Sequence, residues 1–184
     1  MGTVDIVTKE YMRENAIFAD AFNYLIYGGK KVIDPAGLTE IDTATSAVGK
    51  KDALQKYRDV LKAAVIKQDE KMSYVLLGVE NQTDVHYAMP VRNAIYDALQ
   101  YGKQVSDIAA GHRRSQKDYS GKTGGEYLSG FLKEDHIKPV ITLVIHFGAE
   151  EWDGPLSLHE MMPIRDMEIL SYVERSEERR VGKE

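Results

Sequence analysis

Asp59, Glu80 and Gln82 stand on two runs that read as the arms of one hairpin, YRDVLKAAVI and MSYVLLGVENQ, separated by the polar KQDEK. With the turn centred between Asp69 and Glu70, antiparallel pairing sets Asp59 opposite Glu80. Directly opposed residues have Cβ atoms about 4.5–5.5 Å apart on one face, and Gln82, two residues further on, projects there too. Two carboxylates that close repel unless a cation lies between them, and hard ions such as Mg²⁺ or Mn²⁺ take carboxylate oxygens. An ion held this way lowers the pKa of a bound water and stabilises the charge that develops in phosphodiester hydrolysis. Spacing alone is equally compatible with two ordinary strand-end carboxylates in solvent, because a one-residue slip would turn one arm's side chains to the other face.

Other residues fit the same chemistry. Arg92 and Tyr96, four apart on an expected helix, are neighbours on one face. An arginine holds a phosphate bidentately, and a tyrosine hydroxyl orients a water or a phosphate oxygen. Asp20 could supply a third oxygen ligand to the ion. Lys62, on the first hairpin arm, could bring positive charge. His112, Arg113, Arg114, Lys117 and Lys122 form a basic cluster suited to steering phosphates. The bland alternatives are a solvated basic loop and surface side chains.

The elements that must position these residues follow from the patterning. Residues 8–27 read as an amphipathic helix with Thr8 as N-cap and Gly28-Gly29 as its stop. KKVI suggests a short strand, and DPAG a turn. The stretch 53–66 also fits one face of a helix, but the nearly all-apolar Tyr74 to Val79 favours strand, turn, strand. A helix is expected from about Pro90 to Ala109, anchored by Ile95, Leu99 and Val105. GHRRSQKDYSGKTGGEYLSG reads as a long loop, KPVITLVIHFG as a buried strand, and Trp152 to Leu158 as a loop. SLHEMM suggests a short helix, and Met167 to Val173 a last strand. Together these predict one α/β domain with a mixed sheet over residues 1–173.

Composition narrows the classes. The 184 residues are 43% hydrophobic with no cysteine, which excludes disulfides, zinc knuckles and thiol nucleophiles. A net charge of −5 argues against coating nucleic acid through overall positive charge. No apolar run is long enough to span a membrane and no secretory signal is evident, so a cytoplasmic, membrane-free protein is expected. Gly121-Lys122-Thr123 lacks the first glycine of a P-loop, and His159-Glu160 lacks the second histidine of a zinc-protease helix. His146 reads as a satisfied core or strand-end histidine. Residues 174–184 turn abruptly to charge, and RSEERRVGKE resembles translated sequencing-adaptor read-through, so the domain is expected to be C-terminally truncated.

The order Asp59, Glu80-Asn81-Gln82, Arg92, Tyr96 resembles the PD-(D/E)XK nuclease superfamily. YMRENAIFADAFNYLIY, KYRDVLK, LLGVENQTDVHYAMPVRNAIYDALQYGKQV and KPVITLVIHFGAEEWDGPLSLHEM resemble the bacterial recombination-promoting nuclease and transposase-like family, over most of residues 8–173. The resemblance implies a restriction-endonuclease-like core and a Mg²⁺- or Mn²⁺-dependent DNA endonuclease linked to recombination or mobile elements. It implies Asp59 and Glu80 as metal ligands, and Gln82 where many members of the superfamily carry a catalytic lysine. Glutamine is usual at this position in the narrower family, yet it brings hydrogen bonds without charge, so slow or strongly metal-dependent cleavage is expected. Enzymes that cut both strands often act as dimers, which makes a homodimer one expected assembly. The alternative reading is a catalytically silent module of the same fold that binds DNA or a protein partner.

Overall fold

Leu61 to Ile66 and Val75 to Val79 are apolar or small at nearly every position, apart from Lys62, and form the two central strands. The computed structural model describes residues 3–41, 44–46, 55–57, 59–68, 71–115, 120–164, 166–170 and 173. Within it β4 (Val60–Gln68) and β5 (Lys71–Gln82) pair antiparallel from Gln68 opposite Lys71 to Val60 opposite Val79. This is the register expected from the sequence, and it leads directly to Asp59 and Glu80 as the next positions. β1 (Thr39–Glu40) joins β4 antiparallel, and β6 (Val140–His146) joins β5 in parallel. The sheet is therefore mixed, in the order β1-β4-β5-β6. A separate pair joins β2 (Ala44–Ser46) to β3 (Gln55–Tyr57). Among the described residues no helix is long and apolar enough to cross a membrane.

Side-chain alternation sorts the sheet into two faces. Val60, Ala64, Ile66, Val75, Leu77, Val79 and Leu143 pack against Met12, Phe18, Ala19 and Phe22 of the N-terminal helices. Burying each large apolar side chain contributes roughly 1.5–3 kcal/mol. The opposite face, with Leu61, Leu76 and Val140, meets Tyr101 of α3 (Met89–Arg114). Glu80, four residues past Leu76, belongs to this second face.

The expected single helix over 8–27 is two helices, α1 (Thr3–Arg13) and α2 (Asn15–Tyr27), broken at Glu14, whose backbone is extended. Thr8 therefore lies inside α1 and is not a helix N-cap. The cause of the break comes from the sheet. Lys62, 1% exposed, points away from Glu80 to the N-terminal helices. Its ammonium donates to the Arg13 carbonyl and to Asn15 Oδ1 (2.6 Å), and lies 5.0 Å over the Phe18 ring. The Arg13 carbonyl freed by the break thus has a charged donor. Lys62 consequently does not supply charge beside Gln82, and that expectation is corrected. Gly28 closes α2 in the left-handed conformation (φ 60°), as its position suggested.

KKVI is not a strand. The buried Asn23 side chain captures its backbone, accepting from Val32 N and Ile33 N and donating to the Ile33 carbonyl, so no ladder partner is needed. Asp34 caps the 3-10 turn Pro35–Gly37. Helix α3 runs five residues past Ala109, and α4 (Gly124–Ser129) follows under a capping box between Thr123 and Glu126, so both ends of the expected twenty-residue loop are helical. The backbone amides of Thr123 and Lys133 and the Thr123 hydroxyl hold the Glu126 carboxyl down to about 2. Residues 158–161 form turns rather than a helix. The expected last strand is instead the short helix α5 (Met167–Leu170), whose first amides donate to Asp166 Oδ1. Residues 174–184, Lys117 and the Asp69–Glu70 turn lie outside the described residues.

Burial holds the Lys62 ammonium below its ordinary pKa, Glu40 opposing and Arg13 adding to the effect. Below the lowered value the folded state carries the full penalty, and the penalty lifts as pH rises from there toward 10.5. Lys62→Met is expected to destabilise by about 1–3 kcal/mol, because the Arg13 carbonyl and Asn15 lose their donor. Chemical denaturation of both proteins should show this deficit growing as pH approaches 10.5; a deficit that shrinks would contradict the assignment.

Candidate functional site

The parallel arrangement of β5 and β6 requires a crossover, and α3 supplies it. The chain leaves β5 at Gln82 and enters α3 at Met89, with Pro90 in the first turn, where a missing N–H costs nothing. The N-terminal turns of α3 therefore lie near the carboxyl end of β5, where Glu80 sits. Open α/β sheets commonly bind ligands at such strand ends.

Glu80 is 0% exposed, on the central strand of the sheet. A buried carboxylate is costly unless a cation and hydrogen bonds compensate it. Arg92 Nη2 lies 3.6 Å from Glu80 Oε2, and Arg92 Nε donates to the Tyr96 hydroxyl at 2.8 Å. Arg92, Tyr96 and Glu80 are thus one connected group, as the four-residue spacing suggested. Burial works against the Arg92 charge, but Glu80, Tyr96 and Asp59 together outweigh it and raise its pKa. Burial raises the Tyr96 pKa, and the Glu80 charge raises it further, so at neutral pH the hydroxyl keeps its proton.

Asp59 is held by a strand-end device. Asp59 directly precedes Val60, the first residue of β4, and its side chain reaches across to β5. Asp59 Oδ2 accepts from Asn81 N at 2.8 Å. The other oxygen, Oδ1, lies 3.9 Å from Lys9 Nζ of α1, and the Asp59 side chain keeps 20% exposure. Through Asn81, the residue next to Glu80, Asp59 is anchored beside the buried carboxylate. Gln82 shares the face of Glu80 by alternation and is half-buried.

Helix α3 meets the sheet with a polar seam. Ile95 and Val105, expected as apolar anchors, are 38% and 37% exposed, whereas Asn93, Tyr96 and Gln100 are buried. Asp97 accepts from the Thr142 hydroxyl (2.9 Å), the Tyr101 hydroxyl accepts from Val140 N, and Gln104 bonds the backbone of Lys138 in both directions. The apolar stripe was the wrong one to bury because the sheet face below contains Glu80 and Thr142, which need polar partners.

The remaining expected site residues do not join this group. Arg113 and Arg114 are on the last turn of α3, not in a loop, and lie about 30 Å along the helix from Arg92. His112 pairs with Asp135 (3.4 Å), and Lys122 pairs with Glu134 (2.7 Å). Asp20 is exposed on α2, and among the described residues no three acidic or histidine side chains gather as a ready ligand set. His146 Nε2 meets the Glu150 carbonyl and its ring packs edge-on to Trp152, in keeping with a strand-end role. Lys9 was not foreseen: it is distant in sequence from Asp59, and only the packing of α1 brings the two together. No family model, curated protein or solved structure matches the chain.

If Arg92 compensates the buried Glu80 charge, the two must be energetically coupled. Arg92→Ala should destabilise by about 2–3 kcal/mol, below the full cost of breaking a wholly buried pair because Arg92 is one-third exposed. In the Glu80→Gln background the same substitution should cost about 1 kcal/mol or less. Urea denaturation of the four proteins measures the coupling, and additive effects would show that the two groups are independent.

Proposed function

We propose that the chain is a metal-dependent DNA endonuclease with a restriction-endonuclease-like core, acting in recombination or mobile-element processes. The observation that carries this reading is Glu80, a fully buried carboxylate at the carboxyl end of a central strand, with Arg92 3.6 Å away and Asp59 anchored to the next residue. Groups of perturbed pKa, here Arg92 and Tyr96 beside Glu80, are a frequent mark of functional sites. The order of residues in the sequence supports the same class.

The donor set fits a Mg²⁺ or Mn²⁺ ion. Both ligand groups offer hard carboxylate oxygens, and Asp59 keeps enough exposure to be reached from solvent. Two protein carboxylates are sufficient for Mg²⁺, which commonly retains several waters and takes others of its ligands from phosphate. When bound, such an ion supplies a water of lowered pKa and charge stabilisation for the phosphate. In this reading Glu80 and Asp59 hold the ion, and Arg92 fixes Glu80 while offering donors to a phosphate oxygen. Tyr96, kept protonated by burial and by Glu80, donates a hydrogen bond. Gln82 orients the attacking water through hydrogen bonds alone. Arg113 and Arg114 would touch a duplex only well away from the cleaved bond. Cutting both strands would call on two copies of the chain.

One observation favours the silent binding module instead: neither Gln82 nor the inward-turned Lys62 brings positive charge to the carboxylates. Incubation with supercoiled plasmid in Mg²⁺, Mn²⁺ or EDTA separates the two readings. Nicking is expected with either metal and not in EDTA, and Glu80→Gln should lower its rate by at least about a hundredfold, a few kcal/mol of barrier. Binding of the plasmid without nicking in any metal would select the silent module.

A further inference from the structure

From the Lys9–Asp59 contact we infer that Lys9, on α1, is the phosphate-binding cation of the Asp59–Glu80 site and occupies the role left uncharged at Gln82. The inference rests on the DNA-binding part of the function proposed above and extends it to a residue outside the hairpin and α3.

Three observations lead there. First, a site built on two carboxylates repels a polyanion, so a fixed cation is needed where the phosphate arrives. Second, among the described residues the other cations near this end of the sheet already spend part or all of their donors on protein groups. Lys62 points to the opposite face and is consumed by Arg13 and Asn15, and Arg92 is bound to Tyr96 and faces Glu80. Third, Lys9 Nζ stands 3.9 Å from Asp59 Oδ1, beyond a normal hydrogen bond, and its side chain is 26% exposed. The ammonium is thus placed by charge beside Asp59, and no hydrogen bond to a described side chain takes up its donors. A phosphate oxygen is the acceptor whose charge suits that position.

The geometry also explains why a lysine serves here. A compact ammonium on a flexible stem can stay near Asp59 and still turn to an incoming phosphate, whereas a guanidinium would favour a bidentate pair with the aspartate itself. Placement on α1 rather than β5 means that the charge depends on how the helix seats against the sheet. That seating is fixed by Met12 in the core and by the Lys62 anchor at Arg13.

The test uses the full chain and a short fluorescent duplex, with binding followed by anisotropy at several salt concentrations in Ca²⁺ and in EDTA. Lys9→Ala is expected to weaken binding and to reduce the slope of log affinity against log salt by about one, the mark of one lost phosphate contact. Lys9→Arg should restore only part of that slope, because its guanidinium also pairs with Asp59. Thermal melting of Lys9→Ala within about 2 °C of the parent would show that the change is not one of folding. In the nicking assay Lys9→Ala should lose about tenfold or more at saturating DNA, with Lys9→Arg recovering part of it. An unchanged salt slope in Lys9→Ala overturns the inference, and so does failure of the parent protein to bind the duplex. A parent that binds with the Lys9-dependent slope but never nicks leaves Lys9 as the phosphate contact and removes the endonuclease reading, so the two claims fail separately.

Discussion

Burying the Glu80 carboxylate in the middle of the sheet imposes a debt of desolvation that much of the surrounding structure answers. A carboxylate with no exposure needs positive charge and hydrogen-bond donors, and these come from one helix that follows the strand after a six-residue connection. The short connection brings Arg92 and Tyr96 over the strand end, and their four-residue spacing lets them bond to each other while facing the acid. The same requirement extends along α3. A helix that must present Arg92 and Tyr96 inward also presents Asn93, Asp97 and Gln100, so the polar seam and the outward Ile95 and Val105 share one cause.

The sheet separates its two buried charges by alternation. Lys62 is opposite Leu77, and Glu80 is three residues beyond Leu77 on β5, so pleating sends the two side chains to opposite faces. Had both pointed to one side, they could have neutralised each other and left no polar site. Instead each is served by a different layer, Lys62 by the break between α1 and α2, and Glu80 by α3. The lysine makes an interruption of the N-terminal helix tolerable, and the glutamate concentrates polarity at one strand end.

What the sequence made legible divides along the range of the interactions. The hairpin register was readable because apolar arms of matched length leave one symmetrical turn, and the pairs from Val60–Val79 to Gln68–Lys71 follow it. The Arg92–Tyr96 pairing was readable because it is local to one helix. The break at Glu14 was not, since the donor that stabilises it comes from Lys62, 49 residues away from Arg13. KKVI failed for a similar reason, because the Asn23 amide satisfies its backbone from across a turn. The face of α3 was misread because periodicity reports where apolar residues cluster and not what the opposing surface demands.

Asp59 is held by one oxygen and left partly open at the other. One oxygen accepts from the Asn81 amide of the neighbouring strand, which fixes the carboxylate in place. That leaves the second oxygen oriented toward the α1 edge and partly open to solvent. A group anchored through one oxygen and available through the other loses little conformational freedom when it engages a ligand, which is the physical basis of preorganisation. Glu80 reaches the same end by a different route, immobilised by burial and by Arg92. Two acids fixed by unrelated means, at adjacent positions of one hairpin, are therefore held ready without each other's help. Repulsion between them is tolerated in the folded chain because the neighbouring cations, Arg92 for one and Lys9 for the other, are each supplied by a different helix.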